Sequence, residues 1–156
     1  MREPITIQGY EKLQVELERL KTVERPSVIE AIAEARSHGD LSENAEYDAA
    51  KDKQGHIEGR IREIDTKLAT AEIIDVSTLS GERVTFGATV TLFDMDSEKE
   101  VTYQIVGVAE TDLNNGRISV RSPMARALIG KSIGDDVTLV APGGTREYEI
   151  QEVSFH

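Results

Sequence analysis

Apolar residues recur every three or four positions along the first part of the chain, a spacing typical of helices. One apolar line runs through residues 13–20 and resumes over residues 28–35. Pro26 lies between them, and its ring cannot continue the helical hydrogen-bond ladder. We therefore expect a first helix with a kink or short break near residues 23–25.

The second segment, residues 47–71, has the clearest pattern. Mostly apolar residues recur along it at alternating intervals of three and four positions. A period of 3.5 residues over about three heptads indicates a coiled-coil seam. About 30 residues at a rise of 1.5 Å give a rod of about 45 Å. We predict an antiparallel helical hairpin whose second seam consists of Tyr47, Ala50, Gln54, Ile57, Ile61, Ile64, Leu68 and Ala71.

The turn between the two helices carries the candidate chemistry. Gly39 can adopt a positive φ and end the first helix. Asp40 is a good N-cap, and Glu43 follows three residues later, which is the spacing of a capping box. Alternatively, the two carboxylates face outward as oxygen ligands of a hard cation. Mg²⁺ prefers six oxygens, so this second interpretation requires a partner that supplies the remaining ligands.

The apolar period changes near residue 76, where residues 77–83 are typical of a linker. Beyond it, alternating residues predict strands over 84–93, 101–108, 118–121, 137–140 and 148–153. Ser122 and Pro123 predict the start of a short helix over residues 124–129. We therefore predict an α+β fold of two domains: a coiled-coil hairpin over 1–76 and a small antiparallel sheet domain with one short helix over 84–156.

Composition narrows the possible functions. The 156 residues carry a formal net charge of −11, which argues against a broad nucleic-acid-binding face. The absence of cysteine excludes disulfides and thiolate metal sites. Without an apolar run of membrane-spanning length or a signal sequence, we expect a soluble cytoplasmic protein that does not bind membranes. A long rod offers no concave pocket, so it suits a probe better than an enzyme.

The sequence of the turn and several later motifs resemble one known family. The likeness extends over the whole chain and keeps its order across both predicted domains, which makes it specific. The family is that of the bacterial Gre transcript cleavage factors, and the GreA-type members are the most similar. The matching segments are AIAEAR at 31–36, HGDLSENAEY at 38–47, QG at 54–55, EGRI at 58–61, FGATV at 86–90, SPMARALIG at 122–130 and PGG at 142–144.

The resemblance implies a function that composition does not reveal. Gre factors bind bacterial RNA polymerase and insert their coiled coil into its secondary channel. There, Asp40 and Glu43 would help to hold the second catalytic Mg²⁺ jointly with the polymerase, which then cleaves the 3′ end of its own backtracked RNA. The chain would have no cofactor of its own and would not itself be an enzyme. The alternative is a protein that binds the channel and modulates or inhibits the polymerase without stimulating cleavage.

The resemblance also implies roles for other residues. Asn44, Glu46 and Tyr47 would be neighbours of the acidic tip, although Tyr47 could instead simply begin the seam. Arg36, Lys51 and Lys53 would form a basic patch on the nascent RNA, or else an ordinary solvated face. Ser122 and Pro123 would add a polymerase-binding surface to their capping role. The second domain resembles the fold of FK506-binding proteins, but its few aromatic residues argue against isomerase activity. We expect a monomer.

Overall fold

The computed structural model describes residues 2–39 and 44–156. Two compact units make up the chain, one formed by Tyr10–Thr70 and the other by Met1–Gly9 together with Ala71–His156. The first is helical and the second is built around strands, which confirms the predicted α+β class. Among the described residues, no helix combines the length and the apolar content that crossing a membrane requires.

The helical unit is an antiparallel hairpin. Its first arm consists of α1 (Ile7–Arg19), a π-helical turn (Leu20–Glu24) and α2 (Arg25–Ser37). Its second arm is α3 (Ala45–Thr70), whose 26 residues extend for about 39 Å. Contacts join the early part of the first arm to the late part of α3, and the end of α2 to the start of α3. The predicted hairpin is therefore confirmed.

The predicted irregularity near Pro26 is a π-helical turn rather than a break. Pro26 occupies the first turn of α2, where its missing N–H does least harm. The backbone N–H of Arg25 donates to the carbonyl of Leu20, five residues back. Eight residues at about 100° each would leave Val28 about 80° out of line with Leu20. The turn absorbs one extra residue, reduces this offset to about 20°, and brings both side chains into the same apolar cluster.

The hairpin core follows most of the predicted seam. Ile57, Ile61 and Ile64 are buried, as is Ala50 nearer the turn. Ala50, Ile57 and Ile61 form one cluster with buried residues of α2 and half-buried leucines of the first arm. Gln54 and Leu68 are only half-buried. Ala71 was wrongly assigned to the seam, because α3 ends at Thr70 and the chain continues as a strand.

Two bidentate ion pairs connect the arms. Arg25 donates from Nε and Nη2 to the carboxylate of Glu58 at 2.8 and 2.7 Å. Arg60 holds Glu16 in the same way, at 2.6 and 2.7 Å. The hydrogen bond from each arginine keeps the pKa of its glutamate below the ordinary value. Because a paired guanidinium fixes a planar carboxylate in two dimensions, these pairs set the register of the arms.

The second unit contains two sheets among its described residues. The strands β1 (Glu3–Thr6) and β2 (Ala71–Ile74) pair in parallel on either side of the hairpin sequence. The other sheet has the strand order β5-β4-β3-β7-β6. Its strands are β3 (Thr89–Asp94), β4 (Lys99–Val106), β5 (Arg117–Ser119), β6 (Asp136–Ala141) and β7 (Gly144–Ser154).

The five-stranded sheet is mixed rather than wholly antiparallel. Four strands form antiparallel neighbours, as predicted, but β5 pairs with β4 in parallel. Between them the chain crosses over through two 3₁₀ turns, Val108–Glu110 and Leu113–Asn115, instead of a tight hairpin. The short helix α4 (Pro123–Leu128) packs its buried Ala125 and Leu128 into the core formed by the sheet.

A buried polar junction connects the start of α1 to the 3₁₀ turn after β4. Thr6 is the N-cap of α1, since its Oγ1 accepts a hydrogen bond from the Gly9 N–H at 3.1 Å. The carboxylate of Glu110 accepts from the Thr6 N–H at 3.1 Å, from the Thr6 hydroxyl, and from the Gly107 N–H at 3.0 Å. One half-buried glutamate therefore satisfies donors from two segments that lie about a hundred residues apart in sequence.

Candidate functional site at the end of the hairpin

The first arm ends as the sequence predicts. Beyond α2, the His38 N–H donates to the Ala35 carbonyl and the Gly39 N–H to the Arg36 carbonyl, each at 3.2 Å. Gly39 has φ = +100°, in the left-handed region where a side chain is disfavoured. The glycine therefore turns the chain away from the helix axis and satisfies one of the last helical carbonyls.

The start of the second arm differs from the prediction. The helix begins at Ala45, and its N-cap is Asn44, whose Oδ1 accepts from the Tyr47 N–H at 3.1 Å. The Asn44 carbonyl accepts the first helical hydrogen bond, from the Asp48 N–H. The prediction that this helix starts at Asp40 is therefore wrong, whereas the capping box between Asp40 and Glu43 lies outside the described residues. Aspartate and asparagine cap equally well, so cap preference alone does not distinguish the two positions.

Asn44 also joins the two arms. Its Nδ2 donates to the carbonyl of Ala35, near the end of α2, at 2.7 Å. Ala35 is almost fully buried, at 2% exposure, so the arms lie close together at this end. A single amide thus caps α3 with its oxygen and holds α2 with its nitrogen. This double contact holds the end of α2 against the start of α3.

The predicted metal-assisting carboxylates, Asp40 and Glu43, lie outside the described residues, and their role stays a prediction. Among residues 2–39 and 44–156, no group of three or more histidines, aspartates or glutamates is placed to hold a metal ion. Two carboxylates at the turn are hard oxygen donors of the type that Mg²⁺ prefers, and they supply fewer than half of its six ligands. This donor set fits an ion shared with a partner.

The neighbours of the turn divide into exposed and packed side chains. Glu46 is exposed, and its carboxylate lies 3.2 Å from Nδ1 of His38 across the turn. This contact gives His38 a local partner on the exposed surface of the turn. Tyr47 is half-buried and packs on the apolar cluster of the hairpin. The structure thus supports the seam interpretation of Tyr47.

The three basic residues predicted near the turn are all exposed, but they do not share one face. Lys51 and Lys53 are two positions apart on α3, which turns them about 200° from each other. The ammonium of Lys51 donates to Gln54 at 3.1 Å. The side chains of Arg36 and Lys53 make no hydrogen bond or ion pair with another described residue. One face of α3 therefore presents at most one of these two lysines, and the contact of the basic residues with RNA remains a prediction.

The predicted cap of the short helix is confirmed. Ser122 Oγ accepts from the Ala125 N–H at 3.2 Å, and Pro123 occupies the first position of α4. Pro123 is exposed, whereas the helix it starts is anchored in the core through Ala125 and Leu128. The surface around Pro123 is therefore accessible in the described chain, and its role in binding a partner remains a prediction.

Two structurally important residues were not singled out for these roles from the sequence. Asn44 was identified only as a neighbour of the turn, although its position just before a helix is a recognisable capping signal. The role of Glu110 could not be recognised from its neighbours in the sequence, because its partner Thr6 is 104 residues away.

Comparisons with known proteins cover both units. The family profile described as "Transcription elongation factor, N-terminal" matches residues 3–73, and the one described as "Transcription elongation factor, GreA/GreB, C-term" matches residues 79–155. Proteins named Transcription elongation factor GreA from Phenylobacterium zucineum and Hyphomonas neptunium are 63% and 61% identical to this chain. The alignments cover 97% and 99% of this chain and 97% and 98% of those proteins.

Solved structures of related proteins are also similar in sequence over nearly the whole chain. GreA factor homolog 1 of Thermus thermophilus is 30% identical over 99% of each chain, with a TM-score of 0.46. GreA/GreB from Nitrosomonas europaea is 23% identical over 98% of this chain and 99% of its own, with a TM-score of 0.44. Such low TM-scores add no structural argument, and the family assignment rests on the sequence matches. This chain belongs to the GreA/GreB family of transcription elongation factors.

Proposed function

We propose that this chain is a transcript cleavage factor of bacterial RNA polymerase, acting as a monomer in the cytoplasm. Its hairpin enters the secondary channel and carries Asp40 and Glu43 to the active site of a backtracked complex. The polymerase then cleaves the 3′ end of its RNA, so the chain activates an enzyme and is not one itself. Membership of the elongation factor family supports the partner. The observation that carries the mechanism is the two-armed hairpin, whose second arm is about 39 Å long.

The chemistry of phosphodiester cleavage explains why such a probe would be useful. A two-metal site stabilises the attacking and the leaving oxygen of the displaced phosphate. If a polymerase binds the second of these ions weakly, two additional carboxylates beside that ion would increase its affinity for the site. Asp40 and Glu43 would hold the ion and orient the attacking water, while the polymerase and the RNA phosphate complete the six ligands. The bidentate pairs Arg25–Glu58 and Arg60–Glu16 keep the arms in register, which helps to present the end of the hairpin in a constant geometry.

The test uses purified polymerase in a complex stalled with its RNA 3′ end extruded, with and without this chain. We expect the wild-type chain to accelerate release of short 3′ fragments. Asp40→Asn and Glu43→Gln should each lower the maximal cleavage rate by at least about tenfold, because each removes a charged ligand of the shared ion. Asp52→Asn is the matched control, since it removes one exposed carboxylate from α3 away from the turn.

Four results would contradict the proposal or redirect it. No acceleration by the wild-type chain would reject cleavage activation. Equal acceleration by the wild type and both tip variants would reject the role of Asp40 and Glu43 in the mechanism. Slower RNA synthesis without shortening of the RNA would favour the alternative, a channel-binding inhibitor. Cleavage of free RNA in Mg²⁺ by the chain alone would show a nuclease that needs no polymerase.

Docking through the second unit is tested separately. Pro123→Ala changes an exposed residue that makes the first turn of α4, and Ala is also accepted there. If this loop docks on polymerase, the half-saturating concentration of the chain should rise several-fold while the maximal cleavage rate stays constant. An unchanged half-saturating concentration would exclude Pro123 from the docking surface.

A further inference from the structure

We propose that the second unit binds a small zwitterion, such as a free α-amino acid, in a cleft beside its edge strand β5. The cleft has a volume of about 190 Å³, and its lining includes Thr6, Gln104, Glu110 and Arg117. A single water requires about 10–15 Å³ of such space, so the cleft has room for a small organic molecule. All four residues belong to the second unit, and binding there does not depend on the proposed cleavage function.

The cationic wall of the cleft is set by the pairing of β4 with β5. Gln104 and Arg117 are partners in the parallel register, so their side chains lie next to each other on one face of the sheet. The following pair, Ile105 and Ile118, is buried in the core of the unit. Because side chains alternate along a strand, Gln104 and Arg117 lie on the face opposite that core.

The hydrogen-bonding capacity of this wall is not used within the described chain. Gln104 and Arg117 are half-buried, and neither side chain makes a hydrogen bond or an ion pair with another residue of 2–39 or 44–156. Polar groups that are shielded from bulk water generally find a partner in the protein or in the solvent. A carboxylate fits the planar fork of a guanidinium with two parallel hydrogen bonds. This wall therefore suits the carboxylate end of a ligand.

The anionic wall of the cleft is the side chain of Glu110. Its Oε2 accepts from the N–H groups of Thr6 and Gly107, and its Oε1 accepts from the Thr6 hydroxyl. A carboxylate has about four acceptor positions, so one position on Oε1 is left for a donor from the ligand. An ammonium group is the donor that best complements the negative charge of the carboxylate.

The two charges share the cleft without contacting each other. Glu110 and Arg117 both line it, and they form none of the ion pairs of the described chain, for which the nitrogen and oxygen atoms must lie within 4.0 Å. A simple anion would be attracted by the arginine and repelled by the glutamate. A molecule with a carboxylate and an ammonium group satisfies both walls, which is the reason for assigning a zwitterion.

Nuclear magnetic resonance of the isotope-labelled full chain tests the site, with glycine as the probe. Glycine carries both charges and has no side chain that the cleft must accommodate. We expect saturable shifts of backbone amide signals around the cleft, such as those of Glu110 and Arg117. Acetate and methylammonium each carry one of the two charges. Each should bind at least about tenfold more weakly than glycine, because each lacks one charge-assisted contact.

Two variants and a matched control locate the binding. Arg117→Gln removes the guanidinium and should weaken glycine binding by at least about tenfold. Gln104→Thr removes the neighbouring amide with a residue that favours strands, and it should weaken binding several-fold. Arg83→Gln is the control, because Arg83 is an exposed arginine of the same unit that does not line the cleft, and it should bind glycine like the wild type. The dispersion of each spectrum shows whether the variant is folded.

Four results would overturn the proposal. The first is the absence of saturable shifts when glycine is added to the wild-type chain. The second is acetate or methylammonium binding as tightly as glycine, which would indicate a site for a single charge. The third is unchanged glycine binding by folded Arg117→Gln and Gln104→Thr, and the fourth is an equal loss in Arg83→Gln. Failure of the proposed function differs from all of these, since it is the absence of RNA cleavage in the stalled-complex assay.

Discussion

Replacement of Gly9 by alanine tests the polar junction at the start of α1. A Cβ at this position would overlap the Oε1, Cδ and Cγ atoms of Glu110 far inside van der Waals contact. The helix backbone fixes the new methyl group, so the glutamate side chain must move. In doing so it leaves the N–H groups of Thr6 and Gly107, both of which belong to buried residues.

The expected magnitude follows from those two donors. A buried donor left without an acceptor costs about 1–3 kcal/mol, so two of them cost about 2–6 kcal/mol. Alanine is favoured over glycine in a helix by up to about 1 kcal/mol, which opposes this loss. Water can reach the half-buried carboxylate and replace part of the lost bonding. We therefore expect Gly9→Ala to lower the free energy of unfolding by about 2 kcal/mol.

A double-mutant cycle with Glu110→Ala gives the decisive result. Truncation of the glutamate removes the three atoms nearest to the methyl group, so Gly9→Ala should then stabilise the protein by up to about 1 kcal/mol. The same substitution thus changes sign between the two backgrounds, a coupling of about 2–3 kcal/mol. Urea unfolding followed by circular dichroism measures all four proteins. Equal effects of Gly9→Ala in both backgrounds would refute the proposed contact.

Three further predictions concern the hairpin. Ile64→Ala should cost about 2–5 kcal/mol of unfolding free energy in urea titrations, because Ile64 is fully buried. Gly39→Ala should cost about 1 kcal/mol because of its positive φ, whereas Gly55→Ala, within α3 and without a close neighbour, should stabilise by up to about 1 kcal/mol. The contribution of the Glu16–Arg60 pair is present above the ordinary glutamate pKa and is lost as pH falls through the lowered pKa of Glu16. Unfolding free energies measured between about pH 6 and 3 should show this loss, and Glu16→Gln should remove it.

The helical hairpin could be predicted because its signals are local and repeated. The spacing of Ile57, Ile61 and Ile64 specifies one buried face whatever the partner is. Gly39 marks the end of the first arm through its own conformational freedom. The position of Pro26 likewise predicts an irregularity, although periodicity alone does not say that a π-helical turn resolves it. These features depend on neighbours within a few residues.

The parts that escaped prediction depend on distant partners. The strands β1 and β2 have four residues each, and neither shows enough alternation to be recognised before the other is placed beside it. The parallel pairing of β5 with β4 depends on how the intervening turns cross over, which strand pattern does not specify. At the candidate site, the N-cap of α3 is Asn44, and cap preference alone does not distinguish asparagine from aspartate. The contact of Asn44 with Ala35 joins the two arms, and the pattern within one helix does not reveal it.

The π-helical turn at Leu20–Glu24 has a consequence for how the length of the first arm can vary among relatives. The π-helical turn contains one residue more than a regular α-helical turn. It lies next to Pro26, which has no backbone N–H to donate to the helical ladder. Removal of a single residue from this turn should restore regular winding while the apolar faces before and after it stay aligned. An equivalent deletion farther along α2 would rotate every later side chain by about 100° and turn charged positions towards the other arm. Changes of length in this arm should therefore accumulate at one place, beside Pro26.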